Sequence, residues 1–199
     1  PADVPVTLFV SLGPKDNITR AIQLPDGTPV IFKYCPGGSF IMGANEWDQD
    51  VYYRDDPKHE VTLTQGYWLG KYELTKEQWL SLMNTTPWDR WTDSDDPLGP
   101  AEALTYTEAQ SFITQLNAAT GLSFRLPTEA QWEKAYRAGT DTRFYWGDDF
   151  DRTLIGDYAW YNGNTHSVGV PYIHPVCQKL PNALSLHDMS GHVAEWVFD

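Results

Sequence analysis

The chain has 199 residues, 41% of them hydrophobic and 14% aromatic, enough to bury the core of a single folded domain and too apolar for a disordered polypeptide. Its formal charge is −13, from 27 acidic and 14 basic residues. A surface of that sign repels phosphate backbones and anionic lipid, which argues against nucleic-acid and membrane-surface partners.

Residues 5–10 read as a strand. Ala21–Tyr34 reads as a hairpin turning at Pro25-Asp26-Gly27. Gly37–Gly43 sets a short apolar strand between glycines, and the polar, acidic stretch 44–60 reads as a loop. Val61–Thr64 alternates as a half-buried strand does, and Tyr67–Leu74 reads as another. Thr75 with Gln78, Thr105 with Glu108 and Thr128 with Gln131 fit the capping box, in which hydroxyl and side-chain carbonyl satisfy orphan backbone donors reciprocally. They predict helices near 75–84, 107–118 and 128–138, with Gly121 and Gly139 ending the second and third. Residues 84–100 read as a loop. From 140 onward turns and short apolar pieces replace any helical period. The order gives an α+β domain of short strands, two or three helices and much irregular loop.

No window approaches the roughly 20 apolar residues of a membrane span. Pro1 implies a leader or upstream segment before it. Cys35 and Cys177 are the only cysteines. They make neither a disulfide framework nor a structural zinc site, and either one bridge or two free thiols fits. Phosphate-loop, G-x-S-x-G and H-E-x-x-H motifs are missing. Asp55-Asp56 and Asp148-Asp149 have the composition of a glycosidase acid pair, but both sit in turn-like polar runs that suit solvated loop acids better.

Three segments together carry a specific resemblance. Gly37–Gly43 is followed by Gly70-Lys71-Tyr72-Glu73-Leu74-Thr75. Then come Arg125-Leu126-Pro127-Thr128-Glu129-Ala130-Gln131-Trp132-Glu133 and its continuation to Gly139. Last is Pro181-Asn182-Ala183-Leu184-Ser185-Leu186-His187-Asp188-Met189-Ser190-Gly191-His192-Val193-Ala194-Glu195-Trp196. In order and spacing they resemble the formylglycine-generating (sulfatase-modifying factor) enzyme family across residues 29–199, with residues 1–28 as an N-terminal strand and hairpin extension. The resemblance implies that family's variant of the C-type lectin fold. In intact members it implies a copper- and O2-dependent oxidase that converts a sulfatase cysteine to formylglycine. A non-catalytic lectin-like binding or display module of the same fold is the alternative, because the fold hosts both. An iron-dependent sulfoxide synthase would need a further helical domain with metal-binding histidines.

The last segment resembles a calcium loop. The resemblance implies ligands from the side chains of Asp188 and Glu195 and the carbonyls of Gly191 and Val193, a hard-oxygen set completed by water. The alternative is two acids that satisfy nearby backbone N–H groups. The family's other calcium site uses an Asn where this chain has Trp160, so that site is expected to be absent or rebuilt. Other departures are Ser185 and Cys177 for Gly, and His192 for Asn. His187 and His192, five apart, have no clear third ligand for zinc. The motif for helix three reads as a structural pillar, with Glu133 and Arg137 pairing on one face and Arg125 reaching Glu129 or loop carbonyls. The family pattern runs on past Trp196 to an R-G-G-S-W strand and a catalytic cysteine pair. Copper is therefore expected only if those cysteines belong to the native protein. Calcium and the family's habits imply an extracytoplasmic location, and the oxidase reading implies a protein or peptide partner such as a sulfatase.

Overall fold

A computed structural model describes residues 7–10, 19–44, 58–90, 94–169 and 171–199. Pro5 and Val6 of the first expected strand, most of the 44–60 loop, and Asp55-Asp56 lie outside the described residues.

Among the described residues seven strands form in chain order: β1 (Phe9–Val10), β2 (Thr19–Gln23), β3 (Pro29–Cys35), β4 (Gly38–Met42), β5 (His59–Leu63), β6 (Tyr67–Gly70) and β7 (Phe124–Arg125). Four α-helices accompany them: α1 (Lys76–Met83), α2 (Tyr106–Thr120), α3 (Glu129–Arg137) and α4 (Ile155–Tyr158). Five strands form one antiparallel sheet in the order β2-β3-β6-β1-β7, and β4 pairs with β5 in a second. The β2–β3 turn is built as the Pro-Asp-Gly sequence requires. Gly27 takes φ 92°, and the Asp26 carboxylate accepts the Thr28 N–H at 2.9 Å.

Side chains alternate across a strand, and the sheet uses both faces. Val10, Phe32 and Trp68 point into a core with Trp79 of α1 and Phe112 and Leu116 of α2. Phe9, Cys35, Tyr67 and Leu69 point the other way, against Ala135 of α3 and Tyr145, Leu186 and Met189 of the irregular region. Burial on both faces explains why β6 reads Tyr-Trp-Leu-Gly rather than alternating. The stacked Trp79 and Phe112 rings, 5.3 Å apart, lock α1 to α2.

All three capping boxes form. The helices fall within two residues of their expected bounds, and only short helical turns follow residue 140. Three local expectations are corrected. The strand expected to run from Tyr67 to Leu74 stops at Gly70. There the Lys71 carbonyl leaves the ladder to accept the His187 N–H at 2.9 Å, and Glu73 turns inward. Ala138, at φ 49°, takes the left-handed position that ends α3, one residue before Gly139. Strand β7 was not expected. Its two residues carry no pattern of their own and pair only with β1.

Arg125 donates to the Leu126 carbonyl at 2.7 Å and lies 3.8 Å above the Phe9 ring, so of its two expected partners it takes the carbonyl. Glu133 and Arg137 pair at 2.7 Å and clamp Gly43 from both sides. Its N–H donates to Glu133, and its carbonyl accepts from Arg137. Asp148 and Asp149 accept the N–H groups of Arg143 and Leu154, the work of turn acids. Among the described residues no helix is long and apolar enough to cross a membrane.

Candidate metal centre

The irregular segment 181–195 is held in place by side chains its sequence supplies. Asn182 donates to the carbonyls of Ala135 and Tyr136 at the end of α3, at 2.7 and 3.2 Å. Its own carbonyl accepts the N–H groups of Leu184 and Leu186. Leu186 and Met189 plug into the core behind the sheet. The backbone winds through left-handed positions at Ser185 (φ 59°), Asp188 (57°), Gly191 (74°) and His192 (58°). At Gly191 the chain meets Trp160 so closely that a Cβ would sit 2.2 Å from the Trp160 carbonyl oxygen. That oxygen accepts the His192 N–H at 2.8 Å.

The requirement for left-handed backbone has a direct consequence at Ser185, where an L side chain is strained by about 1 kcal/mol. Ser185→Gly is expected to raise unfolding stability by about that amount, less the extra entropy of glycine in the unfolded chain. Urea denaturation checks this, and a destabilised variant would show that the serine side chain outweighs the strain.

The winding carries Asp188 inward to meet Glu73, which enters from the turn after β6. Glu73 is 1% exposed and Asp188 3%. With His192 they form a cluster whose ligand atoms all lie within 4.8 Å of one another. Asp188 Oδ2 accepts the Cys177 N–H at 2.7 Å, and Glu73 Oε1 contacts His192 Nδ1 at 3.2 Å. The other carboxylate oxygens, Glu73 Oε2 and Asp188 Oδ1, have no partner, and neither does Glu195 Oε2. Leaving buried anionic oxygens unsatisfied is costly, and the cost appears as reluctance to ionise. Burial first, then the charge of Glu73, pushes Asp188 up to about 7 against the pull of the Cys177 amide. Burial raises Glu73. Burial, then the charges of Glu73 and Asp188, raises Glu195 well above the carboxylate range, with the Trp132 indole opposing. Burial lowers His192, with the charges of Asp188 and Glu102 opposing.

The four residues that sequence resemblance implied for a cation line one cavity of about 270 Å³. Asp188, Gly191, Val193 and Glu195 share its wall with Trp132 and Met189. The donor set fits a hard divalent cation: carboxylate oxygens lacking partners, carbonyl-bearing residues beside them, and room for water. Glu73 was missed by sequence reasoning, which placed it in the strand expected over Tyr67–Leu74. The available signal was an acid set between the apolar Tyr72 and Leu74 at the end of a strand. His192 joins the cluster, whereas His187 does not. The His187 ring contacts the Lys179 carbonyl instead. Trp160 offers no oxygen ligand from its side chain. It is sandwiched between the His174 ring at 3.7 Å and the Lys179 ammonium at 3.9 Å. Cys35 and Cys177 are both free. Burial pushes their thiols up, to about 12 and about 11.

A family profile described as the sulfatase-modifying factor enzyme 1-like domain matches residues 30–199. The chain belongs to the formylglycine-generating-enzyme family. It is 26% identical over 187 residues to the chaperone protein LppX of Paenibacillus barcinonensis, covering 70% of this chain and 64% of that protein. It is 31% identical over 112 residues to the formylglycine-generating enzyme of Thermomonospora curvata, covering 53% of this chain and 35% of that one. The Mycobacterium tuberculosis formylglycine-generating enzyme is 32% identical over 118 residues, with 55% and 37% covered. This member of the family thus spans less than two thirds of the length of these relatives. Its fold matches that of Treponema denticola variable protein 1 with a TM-score of 0.75 at 22% identity, over 91% of this chain and 76% of that one. It matches PvdO from Pseudomonas aeruginosa with a TM-score of 0.75 at 23% identity, over 93% and 76%.

Proposed function

We propose that these residues form a calcium-stabilised binding scaffold of the formylglycine-generating-enzyme family and do not by themselves carry its cysteine-oxidising chemistry. The observation that carries the reading is a pair of buried carboxylates, Glu73 and Asp188, each with an oxygen lacking a partner, and a third such acid, Glu195, on the wall of the cavity that Asp188 lines. Asp188 and Glu195 would hold calcium with the Gly191 and Val193 carbonyls, and Glu73 would join them. Bound calcium would supply the positive charge that lets all three acids ionise inside the fold. The chain's own part is to fix the loop: Asn182 ties it to α3, Leu186 and Met189 anchor it, and Gly191 lets it pass Trp160.

Copper does not fit the two cysteines present. Burial raises both thiols and so opposes the ionised form in which a cysteine binds copper. Cys35 is a small buried hydrophobe in β3. The second reading, an oxidase acting on a sulfatase cysteine, is favoured by the formylglycine-generating enzymes among the relatives, and it requires thiolates from outside these 199 residues. The same proposal puts the domain outside the cytoplasm, where calcium is abundant enough to fill sites of modest affinity.

Incubating the 199-residue chain with copper, O2 and a sulfatase-type cysteine peptide tests whether these residues carry the oxidising chemistry by themselves. The expected mass spectrum contains only unmodified peptide. Copper-dependent appearance of the aldehyde mass would contradict the scaffold reading.

A further inference from the structure

We infer that His192 is a positioning residue that aims Glu73 at the cation, through a neutral imidazole carrying its proton on Nδ1, and is not itself a ligand. The inference rests on the cation reading above and adds a role that the expected ligand set does not contain.

The tautomer follows from the ring's two partners. Nε2 lies 3.2 Å from the backbone nitrogen of His174, which can only donate. Nε2 must therefore present its lone pair. A neutral imidazole carries one proton, so that proton is on Nδ1. Nδ1 lies 3.2 Å from Glu73 Oε1, and its N–H donates there. A metal at Nδ1 would have to displace that proton, leaving a ring with no N–H at all while the His174 amide still occupies Nε2. An imidazolate is a far poorer match to a cluster already rich in anions than the neutral ring. The constellation that looks like a Glu-Asp-His metal triad is thus two ligands and the donor that orients one of them.

The ring is built to stay in that pose. Its side chain is fully buried, and its own N–H is held by the Trp160 carbonyl at 2.8 Å. Trp160 in turn stacks on the His174 ring. With Oε1 occupied by His192, Glu73 is left with Oε2, one of the oxygens without a partner, in a cluster it shares with Asp188. Ligating carboxylates commonly need such a second partner to hold their orientation.

The test uses protein labelled with 15N at histidine, observed by long-range 1H–15N NMR, first with chelator and then with calcium chloride. The His192 signals are assigned by their loss in His192→Asn. The expected result is a protonated, pyrrole-type Nδ1 and a pyridine-type Nε2 in both conditions. A proton on Nε2, or loss of the Nδ1 proton when cation is added, would overturn the inference. Calorimetric titration with calcium chloride supplies the second readout. His192→Asn keeps a short amide donor and should retain near-wild-type affinity, whereas His192→Leu, shown by circular dichroism to be folded, should bind roughly tenfold or more weakly. Equal affinity in the leucine variant would also overturn it. Failure of the wild-type protein to take up calcium would sink the cation reading and the aiming role with it, while the chelator spectrum would still decide the tautomer.

Discussion

Removing calcium with a chelator at pH 7.5 should lower the melting temperature of the folded chain by about 5–10 °C. A ligand that binds only the folded state at 100 times its dissociation constant stabilises by about 2.7 kcal/mol, and each kcal/mol moves the midpoint of a domain this size by about 2–4 °C. The difference should depend on pH. Asp188 is pushed up to about 7, and Glu73 and Glu195 are raised with it. The cation-free fold therefore keeps protons on these carboxyls that the unfolded chain releases near its ordinary values of about 4. That contribution to stability is complete in acid and is lost as pH climbs from about 4 through about 7 for Asp188 and on through about 8 for Glu73. Calcium binds the ionised forms, so its own contribution grows across the same interval. Melting curves with calcium and with chelator should nearly coincide at pH 5 and separate by pH 8. Asp188→Ala should remove most of the separation. Curves that coincide at every pH, in protein shown to be folded, would contradict the account.

Gly191→Ala should be the most damaging single-methyl change in the loop. The added carbon would stand 2.2 Å from the Trp160 carbonyl oxygen, a backbone atom that cannot swing aside, at a residue whose φ is 74°. Left-handed strain adds about 1–2 kcal/mol to the cost of separating the two segments. The total should exceed about 3 kcal/mol, in the range of severe point mutations. The loop would lift from Trp160 and carry the Gly191 carbonyl away from the cavity, so the calcium-dependent gain in melting temperature should vanish as well. Gly156→Ala is the control: nothing lies within 4 Å of its added carbon, and stability should hardly change. A wild-type calcium response in Gly191→Ala would show that the crossing with Trp160 does not shape the site.

The parts of this structure legible in the sequence are those decided by local chemistry. Three Thr-x-x-(Gln/Glu) boxes announce three helices because hydroxyl, amide and carboxylate satisfy donors only three residues away. The Pro-Asp-Gly turn is equally local. The family pattern adds knowledge of the backbone. Cys177 and Ser185 stand where glycine is usual and His192 where asparagine is, and all three are left-handed, at 65°, 59° and 58°. Long-range pairing is what stays hidden. Strand β7 exists only because β1, more than a hundred residues earlier, offers an edge. Glu73 becomes a site residue because β6 ends at Gly70, where the Lys71 carbonyl meets His187. No spacing rule links residue 73 to residue 192. The tautomer of His192 depends on an amide at His174 and a carboxylate at Glu73, neither of which its own sequence neighbourhood names.

The most direct test of the central claim is a crystal structure of the protein grown in calcium chloride, with the ion located by its anomalous scattering. The account predicts one calcium at about 2.3–2.6 Å from Asp188 Oδ1, Glu195 Oε2 and the Gly191 and Val193 carbonyls, with Glu73 Oε2 in the same shell and His192 Nδ1 outside it. A cavity holding only water between these carboxylates, at calcium concentrations that saturate the solution, would contradict it.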